Sequence, residues 1–215
     1  MRQINGLITR KLALISISNN GADTLMTDPL IEFHTDREAA RQAQDPMAAL
    51  CVVANVDAKG QAQLRTVVLR DIAGRLGIFI NSTSPKWAAL SEEISICTYW
   101  PSTQIQYRIS GKASEIPQQV VSESWGLRPD MPKRMDWFYT NEMPQSSEID
   151  DRATLIDRIE HAQPDIPSEA PPTAKGLYID ATSIERLDLN QPSGLHERLR
   201  WVLDNETWQI STLVP

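Results

Sequence analysis

The period of apolar and polar positions changes along the chain. From residue 29 it is helical, with Leu30, Phe33, Arg37 and Ala40 recurring on one face. Asp28-Pro29 supplies an N-cap followed by proline at the first helical position, and Asp45-Pro46 ends the run. A helix is therefore expected over residues 29–43. After Met47 the pattern becomes that of strands. Residues 48–56 are apolar almost throughout, residues 62–70 are rich in β-branched side chains, and residues 76–80 form a third run. Asp57-Ala58-Lys59-Gly60 and Ala73-Gly74 are the turns between them. Three strands on short turns make a meander, not a strand–helix–strand crossover.

Ser84-Pro85-Lys86 repeats the cap-plus-proline signal and starts a short helix whose apolar face is Trp87 and Leu90. Strands follow at residues 94–100 and 104–113. In the second, Ile105, Tyr107 and Ile109 alternate with Gln106, Arg108 and Ser110. Helices are expected at residues 117–126 and 150–162, with an irregular Pro-, Met- and Trp-containing segment between them. Residues 162–172 hold four prolines and read as a linker within the domain. Residues 177–189 return as strand, and residues 198–203 and 207–214 close the chain as a hairpin around Asp204-Asn205. The expected class is mainly β (β+α): an antiparallel barrel of six to seven strands with inserted helices. Residues 27–215 form its single domain. Residues 1–26 read as a flexible N-terminal extension, with Met26 a candidate initiator; the apolar run at residues 12–17 is too short for a secretory leader and no cleavage site follows.

Composition narrows the function. With 41% hydrophobic and 23% charged residues, the 215-residue chain can bury a core and is not of disordered type. A net charge of −7 and a pI near 5.0 argue against a broad nucleic-acid footprint and fit a cytoplasmic protein handling small molecules. No stretch is long enough for a membrane span. Cys51 and Cys97 lie in apolar runs and read as buried thiols. The sequence contains no GxGxxG, Walker loop or GxSxG, and His34, His161 and His196 lack metal-ligand spacing.

What remains is a set of polar residues at strand and helix ends. Arg65 and Arg70, five apart, face opposite sides of a regular strand. Lys86, in the first turn of a helix after Ser84, forms with an arginine either a seat for a phosphate dianion or a solvated surface cap. Gln106 presents either an amide edge to a planar heterocycle or a polar group to solvent. His196 and Arg198 carry the same ambiguity. The tryptophans Trp100, Trp125, Trp137, Trp201 and Trp208 read as core or interface rather than as a cofactor sandwich.

These pieces occur in a characteristic order. Asp28-Pro29 is followed by Arg65-Thr66-Val67-Val68-Leu69-Arg70, Asn81-Ser82-Thr83-Ser84-Pro85-Lys86, Gln106-Tyr107-Arg108-Ile109-Ser110-Gly111, Ile184-Glu185-Arg186-Leu187, Leu195-His196-Glu197-Arg198, and Trp208 with Leu213-Val214-Pro215. Residues 28–215 thus resemble the pyridoxamine 5′-phosphate oxidase-like FMN-binding split-barrel proteins. The resemblance implies a homodimer with FMN at the interface. Arg65 and Lys86, helped by Ser84, would grip its phosphate. Thr66, Val67, Val68, Leu69, Arg70, Ile80 and Asn81 would line the flavin. Gln106 would bond the ring, and Arg198 would reach it from the C-terminal segment. Arg70, Arg128 and His196 would bind substrate, and no residue is assigned as catalytic. In the oxidases themselves a pyridoxal-type amine or alcohol loses hydride to the flavin, which O₂ reoxidises.

The departures point to a divergent branch. The family's Ser-Arg-Lys reads Ser84-Pro85-Lys86, and its Arg-Leu-His reads Gly194-Leu195-His196. A substrate-phosphate tyrosine and serine read Ser124 and Pro132, while Arg128-Pro129 is retained. Gln106-Tyr107-Arg108 replaces Arg-Gln-Val, and Leu187-Asp188-Leu189 replaces Phe-Trp-Gln. The expected function is an FMN-dependent oxidoreductase with an altered substrate site; the alternative is a flavin carrier or sensor without oxidase activity.

Overall fold

The computed structural model describes residues 28–57, 59–90, 92–162, 165 and 168–215; the extension expected over residues 1–26 lies outside them. Helix α1 (Pro29–Gln42) starts at its signal, with Asp28 Oδ1 accepting from the Leu30 amide at 3.0 Å. Phe33, Arg37 and Ala40 are buried on one face, and Leu30 packs partly against the core. The early part of the first expected strand is instead a 3-10 turn, Pro46–Ala49. Pro46 sets its first φ and Asp45 caps the Met47 amide at 2.8 Å, so strand pairing begins only at β1 (Leu50–Val56).

Among the described residues there are nine strands, more than the six to seven expected. The others are β2 (Ala62–Val68), β3 (Arg70–Ile72), β4 (Arg75–Asn81), β5 (Glu93–Trp100), β6 (Ile105–Glu115), β7 (Ala174–Asp188), β8 (Glu197–Asp204) and β9 (Thr207–Thr212). All pair antiparallel, in the order β2-β1-β5-β6-β7-β4-β3, with the β8–β9 hairpin attached to β7. The strands β2 and β3 stand at opposite ends of this order, yet only Leu69 separates them in the chain. One residue spans about 3.8 Å, so connectivity holds the two edges together and the sheet curls into a barrel. The strand expected over residues 62–70 is therefore two, broken at buried Leu69, and Arg65 and Arg70 do not share a regular strand. Arg37 reaches this break from α1: its Nε donates to the Ala48 carbonyl and its Nη2 to the Leu69 carbonyl, both at 2.7 Å. Burial pulls its guanidinium down to about 10.

Strand β7 is 15 residues long and pairs with β6 over nearly its whole length. Its first part also pairs with β4 and its last part with β8, which splits the barrel wall. Gly111 sits at a register shift between β6 and β7, where a Cβ would run into the Asp180 carbonyl. Inside, Phe33, Trp100 and Tyr107 pack edge-on or tilted with ring centroids 5.0–5.6 Å apart, in one core with Val53, Ile78, Ile96, Ile109 and Ile184. The alternation expected for β6 is present, with Tyr107 inward and Gln106 and Arg108 outward. Cys51 is buried, but Cys97 lies on the outer face and is half-buried; both are free thiols.

Four further helices surround the barrel: α2 (Lys86–Ala89), α3 (Gln118–Gly126), α4 (Asp130–Asn141) and α5 (Arg152–Ala162). Helix α4 replaces the irregular segment expected there. Pro132 falls in its first turn, where an amide has no intrahelical partner to lose. Among the described residues no helix is long and apolar enough to cross a membrane.

Candidate functional site

The strand β4 ends at Asn81, and the loop behind it is built by that side chain. Asn81 Oδ1 accepts from the Thr83 amide at 3.0 Å and the Thr83 hydroxyl at 2.8 Å, while its Nδ2 donates to Thr173 Oγ1 at 3.3 Å. Ser84 is buried, but its hydroxyl does not cap α2. The cap position is Pro85, without a side-chain bond, and α2 is a single turn. The electrostatic weight of this corner thus falls on side chains. Lys86 is half-buried, and its ammonium is held below the usual 10.5, first by burial and then by the nearby Arg65. Arg65 faces inward on β2 and donates from Nη2 to Asn55 Oδ1 at 3.1 Å. Among the described residues neither cation has a carboxylate in ion-pair contact.

The rest of the run 65–70 divides between the two faces. Val67 packs toward the core and Leu69 is buried at the break, whereas Thr66 and Val68 are exposed on the outer face and Arg70 is exposed opposite Gly77.

Beside this corner lies a cavity of about 280 Å³ that gathers four of the expected residues, Ile80, Asn81, Lys86 and Arg128. Phe79, Trp125 and Tyr139 give it aromatic walls, and Lys175 opens into it. The face Pro132, Met135, Asp136, Tyr139 of α4, spaced as one helical stripe, completes it. Asp136 was not anticipated. It is buried and ion-paired with Arg128, and the same carboxylate oxygen accepts from Trp125 Nε1 at 3.0 Å. Burial is the largest influence on its carboxyl and raises it above 3.8, against the opposing pull of Arg128. The i, i+3, i+4, i+7 spacing in Pro132–Tyr139 was the readable signal in a segment expected to be irregular.

Gln106, Arg198 and His196 lie elsewhere. Gln106 on β6 is in register with Leu187 on β7, which is in register with Arg198 on β8, so the two share an outer-face row. Arg198 donates to Glu185 Oε1 from Nε at 3.0 Å, and its Nη2 lies 2.9 Å from the same oxygen. His196 is exposed just before β8. Between His196 and Arg198, Glu197 is tied at 3.0 Å to buried Arg186, whose Nε donates to Asp36 of α1 at 2.7 Å. Tyr107 donates to the same Asp36 oxygen at 2.6 Å. This inner network anchors the start of β8, and its members, scattered from Asp36 to Glu197, have no spacing that would reveal it.

Scanned against models of known families, the chain matches none. It is 28% identical over 196 residues to a pyridoxine/pyridoxamine 5′-phosphate oxidase of Chromobacterium violaceum, covering 88% of this chain and 90% of that one. The same named oxidase of Coxiella burnetii is 28% identical over 198 residues, with 89% and 97% covered, and that of Anaeromyxobacter dehalogenans is 25% identical over 195, with 87% and 96% covered. Among solved structures the fold matches PhzG from Burkholderia lata 383 in complex with tetrahydrophenazine-1-carboxylic acid at a TM-score of 0.78, 23% identity and 90% and 95% coverage. It also matches a pyridoxamine 5′-phosphate oxidase-related, FMN binding protein from Nostoc punctiforme at 0.71, 19% identity and 88% and 98% coverage. In sequence the chain is thus similar to pyridoxine/pyridoxamine 5′-phosphate oxidases, and its split-barrel fold is that of PhzG and of the pyridoxamine 5′-phosphate oxidase-related protein.

Proposed function

We propose that the protein is an FMN-dependent oxidoreductase whose flavin lies between two copies of the chain, with a substrate site changed from that of the phosphate oxidases. The observation that carries this is the pair Arg65 and Lys86. Two cations are driven together in a half-buried corner, at a cost visible in the lowered ammonium of Lys86, with no carboxylate ion-paired to them among the described residues. A phosphate dianion is the group that offsets this repulsion. Ile80 and Asn81 line the adjoining cavity, and buried Ser84 adds a hydroxyl.

When bound, FMN supplies hydride acceptance; the chain's own residues bind and orient. Gln106 offers donor and acceptor to the ring edge, and Arg198 adds a positive charge beside it. Within one copy, Asn81 stands opposite Ala174, while the Gln106–Arg198 row stands opposite Leu187, roughly 40 Å further along β7 at about 3.3 Å per residue. On this reading the ring-side residues come from a second copy. The outer sheet face supports such a pairing: Leu64, Val68 and Tyr99 are exposed on it, beside half-buried Val52 and Cys97. Arg70, Arg128 and His196 border the space left for substrate.

The test is the protein as purified. A yellow sample that releases FMN on denaturation, or a colourless one that takes up FMN stoichiometrically, supports the cofactor reading; failure to bind FMN refutes it. Flavin reduction by a small amine or alcohol under nitrogen then separates an oxidoreductase from a flavin carrier.

A further inference from the structure

The cavity beside Lys86 has a charge arrangement that limits what it accepts. Its aromatic wall carries one arginine, Arg128, and that guanidinium is in ion-pair contact with the buried carboxylate of Asp136. Trp125 Nε1 donates to the same oxygen at 3.0 Å. The Asp136 carbonyl accepts from Thr140 Oγ1 at 2.8 Å in the second half of α4. Within the lining at this end, the Arg128 guanidinium is thus matched by the Asp136 carboxylate; Lys133, whose Nζ lies 5.3 Å from the Trp125 ring centroid, stands outside the lining. Of the cations that open into it, Lys86 is given to the cofactor phosphate, and Lys175 lines the β7 end.

We infer that Asp136 is a specificity-determining residue: by neutralising Arg128 it makes the cavity a site for a flat, unphosphorylated ring with at most one negative charge, and selects against a phosphate ester. The inference rests on the flavin reading only in leaving Lys86 to the cofactor. Phe79, Trp125 and Tyr139 supply π faces for such a ring, and Val121, Met135 and Pro132 its apolar contacts. A phosphate dianion entering the same end meets a buried carboxylate. It must either displace Asp136 from Arg128, leaving that carboxylate unpaired, or forgo the guanidinium.

The test is calorimetric titration of the protein, with FMN added, by pyridoxine and by pyridoxine 5′-phosphate, reading the ratio of the two Kd values. In the wild type the phosphate should improve binding by no more than about threefold. Asp136→Asn keeps the shape and an acceptor for Trp125 while freeing Arg128, whose charge-assisted bonds to phosphate should raise the preference to about tenfold or more. The double variant Asp136→Asn/Arg128→Gln should return to the wild-type ratio, which excludes a general loosening of the cavity. A wild-type phosphate preference above tenfold, an unchanged ratio in Asp136→Asn, or binding of neither compound would overturn the inference. Flavin absorbance in the same samples reports FMN uptake separately, so a failure of the cofactor reading is distinguished from a failure of this one.

Discussion

Replacing Lys86 by alanine removes one of the two cations at the corner beneath β4. Lys86 is half-buried, so its bond to a phosphate would be little screened, and a charge-assisted hydrogen bond of this kind contributes about 1.5–3 kcal/mol. At about 1.4 kcal/mol per decade, Lys86→Ala should weaken FMN binding by about 10- to 100-fold. Lys112, exposed on β6 opposite Glu93, is the control, and Lys112→Ala should stay within about twofold. The pH dependence carries a sign. Burial, and then Arg65, hold the Lys86 ammonium below its usual 10.5, so in the free protein it begins to lose its proton at a lower pH than an ordinary lysine. Bound phosphate favours the charged form. Affinity is therefore full at low pH within the dianion range, above about pH 6, and falls as pH rises toward the lysine's own titration. Titrations of FMN fluorescence at intervals from pH 7 to 9.5 should show Kd rising with pH in the wild type and a flatter profile in Lys86→Ala. Equal Kd values for the two alanine variants, or identical pH profiles for wild type and Lys86→Ala, would refute the phosphate assignment.

Three further outcomes are expected. Asp36→Ala takes the acceptor from Tyr107 and Arg186, both buried, and each unpaired donor costs about 1–3 kcal/mol; urea unfolding should show a loss of about 3 kcal/mol, with a smaller loss in Asp36→Asn, and a change under about 1 kcal/mol would refute the network's weight. Gly111→Ala drives a Cβ into the Asp180 carbonyl, which is backbone and cannot rotate aside, so the melting temperature should fall by about 10 °C or more, and a wild-type melting curve would contradict the register shift. Leu64→Glu puts a charge on the exposed outer face; sedimentation should show monomers and FMN titration a weakened Kd, and an unchanged dimer would move the interface off this face.

Local signals carried much of the fold. Asp28-Pro29 set the start of α1 because a cap and a proline act within one turn. The alternation in β6 and the turn around Asp204-Asn205 were readable because strand period and turn chemistry are local too; Asn205 and Glu206 both adopt positive φ, as a tight hairpin turn requires. The order of short motifs was enough to suggest the family. Other features depended on residues far apart in the chain. The break at Leu69 is held by Ala49 and by Arg37, and nothing within residues 62–70 announces it. Ser84 promised a cap that the single turn of α2 does not use. The segment holding α4 was expected to be irregular; a proline's cost depends on where in a helix it falls, and Pro132 falls in the first turn. The meeting of Arg65 with Lys86, and of Asp136 with Arg128, is likewise tertiary. Spacing in sequence supplies the charges, but burial and neighbours decide which are left for a ligand and which are already neutralised.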